Sequence, residues 1–533
     1  MTREGSLVNV LAQWRPSPVP IPLAEVVDLC RRLDPAGVRV FRDGIEVDDN
    51  TALSDVMLTG VTHDSRLVMA GDLYAALRGF VMHGADFVPE ARRAGATAIL
   101  TDIGGLARAN QSGLPVVVTR DPRALLGAVS AHVYGDPSAS MTVIGITGTN
   151  GKTTMAHLID SALSHHGVRT GLIGTVGSHV ADLSVDSVRT TPEAPDVQSL
   201  LALMKERGVS VVAMEVSSHA LALGRVDGTK FRVSVFTGLS QDHLDFHHTM
   251  EDYFATKTDL FASERSELGV VCIDDEWGRR LAREAPIDIT TYSIEAAADW
   301  HLRAMSYEDA GATLAEIVGP GGVSVPIRVA MPGLFNVCNA VGALVALVSA
   351  GYDVGAVAQG LSAVRGVAGR MQRVDAGQAF TVIVDYAHTP DAVSRVLTAL
   401  RTGTRGRIWV VLGCGGGRDS AKRPLMGAVA AELADAVVIT DDNPRSEDPA
   451  AIRHDMIEGV ASVPREMRAP TIEIGDRHDA IAYALTAARE GDVVAILGKG
   501  HEIGQEVRGV ITDFDDRTTA AEILAEIISG VSP

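Results

Sequence analysis

The chain returns again and again to one short device: a run of apolar residues that breaks off into glycine or an acid. It appears as "TVIGITGTNGKTT" (142–154), "VSVVAMEV" (209–216), "FTVIVDYAH" (380–388), "IWVVLGCGGG" (408–417), "ADAVVITDDN" (434–443) and "GDVVAILGKG" (491–500). Unbroken apolar runs of this length are strands buried on both faces, as in parallel sheets. Helical stretches between them suit right-handed crossovers. The polar loops at the strands' carboxyl ends are where open α/β sheets bind ligands. Further strands are expected at 233–239 and 269–274, with a helical segment near 86–94. The predicted class is therefore α/β, with ligand loops facing one another across a cleft.

At 533 residues the chain is too long for one core and fits about three domains. The expected division is 1–140, 141–366 and 367–533, with the joint between the last two near "GVAGRMQRV" (366–374). A formal net charge of −20 argues against a sequence-independent nucleic-acid binder, which needs basic excess. Anionic ligands must then be met by local lysines, arginines and helix N-termini. The four cysteines, Cys30, Cys272, Cys338 and Cys414, are scattered without a C-x-x-C pair, which fits a reducing compartment without a disulfide framework or a structural zinc site. No apolar run approaches the roughly 20 residues that span a bilayer, and the opening residues lack a secretory apolar core. A cytoplasmic protein without membrane insertion is expected.

"GITGTNGKTT" (145–154) carries the sharpest chemistry. Backbone N–H groups of a glycine-rich turn opening a helix cradle phosphates, a lysine neutralises them, and a threonine hydroxyl reaches Mg²⁺. The strict Walker A spacing would need glycine at position 146, which is Ile146, so the loop is the shorter Gly148, Thr149, Asn150, Gly151, Lys152, Thr153. Glu215 ends a strand where nucleotide-binding folds place an acidic Mg²⁺ residue. "SQDHLDFHHTM" (240–250) crowds Asp242, His243, Asp245, His247 and His248; zinc, Mg²⁺-phosphate and plain helix-start readings all stand at this point. "GCGGGRD" (413–419) would make a dinucleotide fingerprint only with glycine in place of Arg418. "TDDNPRSEDP" (440–449) is either a solvated turn or a loop whose guanidinium reads a carboxylate.

Taken together, "DSRLVMAGDLYAAL", "GTNGKTT", "TTPEAP", "EVSSHAL", "DHLDFH", "PGLFNVCNA", "DYAHTPD", "DNPR" and "GKGHE" resemble, in this order, the Mur ligase family of peptidoglycan precursor synthesis. The resemblance implies three domains: an N-terminal UDP-substrate-binding α/β domain, a central P-loop-type ATPase domain with a mainly parallel sheet, and a C-terminal Rossmann-like α/β domain. It implies ATP and Mg²⁺ as cofactors. Within the family, "DNPR" and "GKGHE" are similar to members that add meso-diaminopimelate to UDP-N-acetylmuramoyl-L-alanyl-D-glutamate through an acyl phosphate.

By the same resemblance, Lys152, Glu215, His243 and Lys257 are the catalytic residues, Lys257 as a carbamylated Mg²⁺ ligand beside Thr153, Glu215 and His243. ATP is implied to contact Gly148, Thr149, Asn150, Gly151, Lys152, Thr153, Thr154, Asn336, Asn339, Arg370, Asp385 and His388. The UDP-substrate would meet Ser65, Arg66, Thr190, Thr191, Ser217 and Arg225. The amino acid would meet Arg418, Asp442, Asn443, Arg445, Gly498 and Glu502, with Arg445 on its far carboxylate. Small-molecule substrates and a monomer are expected. Two departures stand out: Gly417 occupies a position where the family often has aspartate, and "RGFVMHGADF" matches the first domain only loosely. The rival readings are the same ligase chemistry with L-lysine or another amino acid, a folylpolyglutamate synthetase-like ligase, and a nucleotide-gated scaffold.

Overall fold

A computed structural model describes residues 15–17, 19–48, 53–79, 81–185, 189–308, 312–417 and 419–529. Among these, three large sheets organise the chain. The first, six-stranded, runs in the order Ile45–Glu46, Arg39–Arg42, Val116–Val118, Ala98–Thr101, Asp72–Ala76, Gly60–Thr62. Its last four strands are mutually parallel.

The second sheet has eleven strands. Its parallel centre reads Thr170–Gly174, Val211–Glu215, Thr142–Thr147, Phe231–Phe236, Ser266–Cys272, Asp288–Ser293, then Trp300–Tyr307. From Thr142–Thr147 the chain first passes beyond Val211–Glu215 and later returns on the opposite side, so the loop after Thr147 opens at a reversal of strand order. Such a switch point leaves a crevice at the strand ends. Apolar layers cover both faces of this sheet, which is why its central strands read as continuous apolar runs. The helix Leu334–Ser349 is apolar almost all round and accordingly buried. Truncating a fully buried member such as Leu344 to alanine should cost about 2–5 kcal/mol.

The third sheet has six strands in the order Gln372–Val374, Thr381–Asp385, Val493–Leu497, Ile408–Leu412, Ala436–Ile439, Thr471–Glu473. All but the first pairing are parallel. A hairpin, Gly504–Val507 with Val510–Asp513, follows. The helix Pro390–Gly403 starts where the Thr389 hydroxyl accepts from Ala392 N and proline fills the first turn, a strong start signal.

Several boundaries shift from the sequence reading. The strand expected from 209 begins at Val211, because Val209 N still closes the preceding helix by donating to Met204 O. The one expected at 233–239 is Phe231–Phe236, since Thr237 turns its hydroxyl to Asn150 O, 2.6 Å away. The one expected at 269–274 is Ser266–Cys272. The segment near 86–94 splits into a 3₁₀ turn, Gly84–Phe87, and a helix, Val88–Ala94. The antiparallel strands Thr313–Val318 and Ser324–Val329, which extend the central sheet, were not expected. Ser324–Val329 alternates exposed and buried residues, the period-two pattern of a half-solvated edge rather than an apolar run.

Candidate active site

The strand Thr142–Thr147 runs into a loop that only glycine can trace at two points. Gly148 has φ +139° and Gly151 φ +89°, and a Cβ on them would lie 2.0 Å from Thr237 Oγ1 and 2.4 Å from Asn339 Oδ1 respectively. Helix Lys152–Ser164 then begins, so its first N–H groups point into the crevice. Lys152 Nζ donates to the loop's own carbonyls, Gly148 O at 2.7 Å and Thr149 O at 3.0 Å. Burial lowers its pKa below the ordinary lysine value, with Glu215 and Asp242 opposing that shift.

Glu215 is fully buried at the end of its strand, and all its partners are donors. Thr153 Oγ1 lies 2.8 Å from Oε2, Thr175 N 2.7 Å from Oε1 and Thr175 Oγ1 3.0 Å from Oε2. His243 takes a left-handed backbone, φ +54°, which places its ring 3.4 Å from the Asp242 carboxylate. Desolvation pushes its pKa down to about 4, so the imidazole is neutral at pH 7 and keeps a lone pair. Lys257 is buried at 1% exposure; Nζ donates to Gly148 O at 3.0 Å and lies 4.7 Å from the centre of the Tyr253 ring. Burial, with Lys152 nearby, holds its pKa well below the usual value. That favours a neutral, nucleophilic amine.

Opposite this loop stands the third sheet. Asp391 Oδ2 accepts from Asn150 Nδ2 at 3.0 Å and from Ser240 Oγ at 3.2 Å, and Arg370 Nη2 donates to Thr153 Oγ1 at 2.9 Å. Arg370 also stacks 4.5 Å over the Tyr386 ring. Asp385 accepts from Met371 N and Ala387 N, while burial raises its pKa. His388 Nδ1 donates to Tyr386 O at 2.9 Å, and burial lowers its pKa to about 4.

Beyond the strand Ala436–Ile439, Asn443 bridges Glu502 Oε2 (2.7 Å) to the Lys499 ammonium (3.3 Å) and Glu506 N (3.0 Å). Lys499 is fully buried and donates to Gly504 O at 2.6 Å. Glu502 has its pKa raised by burial and by Asp442. Arg445 adopts φ +53°, donates from Nη1 to Gly416 O, and keeps Nε 3.8 Å from Glu506 Oε2. Gly416 is needed there because a Cβ would sit 2.0 Å from Pro444 O.

One cleft of about 1620 Å³ brings these walls together. Its lining includes Thr149–Thr154, Thr190, Thr191, Glu215, Ser217, Arg225, His243, Asn336, Asn339, Arg370, Asp385, His388, Asp442, Asn443, Arg445, Gly498 and Glu502. Gly148, the loop's first residue, and Lys257, whose Nζ donates to Gly148 O, do not join the lining. Ser65 and Arg66 do not join the lining; they sit in a 3₁₀ turn of the first sheet's layer, Ser65 Oγ 3.3 Å from Glu90 and Arg66 paired with Asp64. Arg418 lies outside the described residues.

Sequence reasoning missed Thr175, Tyr386, Asp391 and the buried Lys499, although the last three stand inside quoted motifs. It also missed that Glu193 gathers Arg123 from the first domain's layer with Arg189 and Arg225. These arginines hold the Glu193 carboxyl below its usual range, although burial works the other way.

A phosphate-type loop at a strand-order reversal, faced by a second parallel sheet with charged and amide side chains at its strand ends, is the arrangement of a nucleotide-dependent transfer or ligation enzyme. Three family models match in succession: Mur ligase family, catalytic domain (residues 57–134), Mur ligase middle domain (146–347), and Mur ligase, glutamate ligase domain (369–500). Over 511 residues the chain is 49% identical to the UDP-N-acetylmuramoyl-L-alanyl-D-glutamate--2,6-diaminopimelate ligase of Streptomyces coelicolor, covering 96% of this chain and 98% of that one. It is 43% identical over 515 residues to a UDP-N-acetylmuramyl-tripeptide synthetase of Leifsonia xyli subsp. xyli, covering 96% and 97%. A solved structure of a UDP-N-acetylmuramoyl-L-alanyl-D-glutamate--2,6-diaminopimelate ligase superposes with TM-score 0.64 at 32% identity, over 91% of this chain and 98% of that one. The chain belongs to the Mur ligase family, and it is an ATP-dependent amide-forming ligase.

Proposed function

We propose that this ligase joins meso-diaminopimelate to the D-glutamyl side-chain carboxylate of UDP-N-acetylmuramoyl-L-alanyl-D-glutamate. The observation that carries the reading is a single cleft with the Lys152 loop on one wall and the Arg445–Asn443–Glu502 pocket on the other. A relative whose name leaves the amino acid open is nearly as similar as one that specifies it, so Arg445 decides the choice. Its guanidinium meets a second carboxylate, which L-lysine lacks.

A carboxylate does not accept an amine directly, because oxide would have to leave. Transfer of the γ-phosphoryl from ATP makes an acyl phosphate; the amine attacks it, and phosphate departs from the tetrahedral intermediate. The chain's work is positioning and charge neutralisation. The loop N–H groups and Lys152 hold the phosphates, Asn336 and Asn339 border the nucleotide, and Arg370 and His388 bring the third domain's side to it. Asn443 and Glu502 take the polar groups of the amino acid. Arg370–Thr153 and Asp391–Asn150 hold the two sheets' layers together, which excludes water from the acyl phosphate.

Mg²⁺, when bound, supplies positive charge to the phosphate oxygens. Glu215 and neutral His243 fit such an ion, with Thr153 adjoining. Lys257 fits only after its neutral amine has taken up CO₂, losing a proton to become a carbamate anion; the depressed pKa favours that step. The domains we propose are 1–140 for the UDP end, 141–366 for ATP and 367–533 for the amino acid. Ser65 and Arg66 would meet the uridine end outside the cleft, at the far end of a long substrate whose peptide meets Thr190, Thr191, Ser217 and Arg225. A cytoplasmic monomer suits these small soluble substrates; no helix among the described residues is long and apolar enough to cross a membrane. The test is a ligation assay with a panel of amino acids. ADP and phosphate should appear only with the UDP-dipeptide and meso-diaminopimelate together, and equal turnover with L-lysine would sink the assignment of the amino acid.

A further inference from the structure

Two of the scattered cysteines meet in the fold. Cys272 ends the strand Ser266–Cys272, and Cys338 lies on the helix Leu334–Ser349 between Asn336 and Asn339. Their Sγ atoms are 3.7 Å apart. Asp274 Oδ2 completes a triangle, 3.5 Å from Cys272 Sγ and 3.7 Å from Cys338 Sγ. A tetrahedral zinc ion with Zn–S of about 2.3 Å and Zn–O of about 2.0 Å sets S···S near ~3.8 Å and S···O near ~3.5 Å. The three donor atoms therefore already form one face of such a tetrahedron.

Two further features mark a built site. The other carboxylate oxygen, Asp274 Oδ1, is held by Ser293 Oγ and by Ile294 N at 3.3 Å, an orienting shell of the kind that metal-ligating carboxylates carry. Beside the sulfurs, the fully buried Tyr292 hydroxyl finds no hydrogen-bond partner of good geometry. All three donor residues also line the cleft.

We propose that Cys272, Cys338 and Asp274 form a binding site for a thiophilic divalent cation of the zinc class, with its fourth position open to the cleft. Two thiols exchange their protons for the ion, so two protons are released per cation and binding tightens as pH rises. Soft thiolates make the site distinct from any Mg²⁺ position, which takes oxygen ligands. An ion here ties the helix carrying Asn336 and Asn339 to the end of the neighbouring strand. A disulfide is the poorer fit, because the sulfurs would have to close to about 2.05 Å and Asp274 would lose both of its thiol neighbours.

The test is titration of Cd²⁺ into the full-length, reduced, chelator-treated protein with Mg²⁺ in excess. One equivalent should bind with an ultraviolet thiolate-to-cadmium band and release two protons. Cys272→Ser and Cys338→Ala should each abolish the band, whereas Cys30→Ser and Cys414→Ser should keep it. Because a buried cysteine variant can fold poorly, Ser293→Ala provides a milder arm and should weaken binding about 10–100-fold. A wild-type protein that shows no band, or a band that survives in the Cys272→Ser, Cys338→Ala double variant, overturns the proposal.

Discussion

The end of the cleft that we assign to phosphate is drawn from consecutive residues, Thr149 to Thr154, on one strand–loop–helix unit. The end that we assign to the amino acid gathers Gly416, Asn443, Arg445, Lys499, Glu502 and Glu506 from separate segments after different strands. The first wall is shaped by backbone: glycine torsions and N–H groups fix it, and Lys152 rests on carbonyls of its own loop. The second is shaped by side chains that hold one another, with a buried ammonium at the centre. A wall of the first kind binds what every member of a large chemical class shares. A wall of the second kind can be retuned by one substitution, which suits the part of the reaction where substrates differ.

The largest effect that follows from this contrast is discrimination at the side-chain wall. Wild-type protein should prefer meso-diaminopimelate to L-lysine by roughly 10⁴-fold in kcat/KM, since a site built for a carboxylate leaves its arginine unpaired with an analogue lacking one. Arg445→Ala should erase most of that preference while KM for ATP stays close to the wild-type value. Competition assays measure both, and a parallel loss of ATP binding would break the comparison. Next comes Lys152→Ala, expected to lower turnover by about 10³-fold with either amino acid, because charge on the transferring phosphoryl is common to all substrates.

Lys257→Ala should lose about 10²-fold or more in turnover, and a short carboxylic acid added to the assay should restore part of it. Full activity without the acid would rule out the carbamate. Lys499→Met sharpens the contrast from the other side: amino-acid KM should rise about tenfold as Asn443 and Glu502 lose their anchor, with KM for ATP little changed. The smallest effect is on acid stability. His243 and His388 have folded pKa values near 4 against an ordinary 6.5, so the unfolded chain binds their protons first. The stability they contribute is intact above about pH 6.5 and lost as pH falls from there toward 4. Thermal unfolding measured across that window should show Tm declining, and His388→Gln should flatten the decline.

Much of this was legible without coordinates. Apolar runs ending in glycine or acid specify buried parallel strands, because a strand covered on both faces has no polar side to show. The loops that follow inherit a place at the strand ends, where Lys152, Glu215, Asp442, Asn443 and Arg445 line the cleft. Half-exposed strands such as Ser324–Val329 were missed since alternation over a few residues is a weak signal. Lys499 and Tyr386 were hidden within quoted motifs, and nothing in "GKGHE" or "DYAH" says which member is buried.

The sequence by itself determined the class of sheet, the phosphate-type loop and the family, because each rests on local order along the chain. Tertiary structure alone decided which distant residues meet: Asp391 with Asn150, Arg370 with Thr153, and Cys272 with Cys338. It also left Ser65 and Arg66 outside the cleft lining. The physical reason is that hydrophobic periodicity reports only that a residue is covered. What covers it depends on strand order and crossovers, and these are settled by packing across the whole domain.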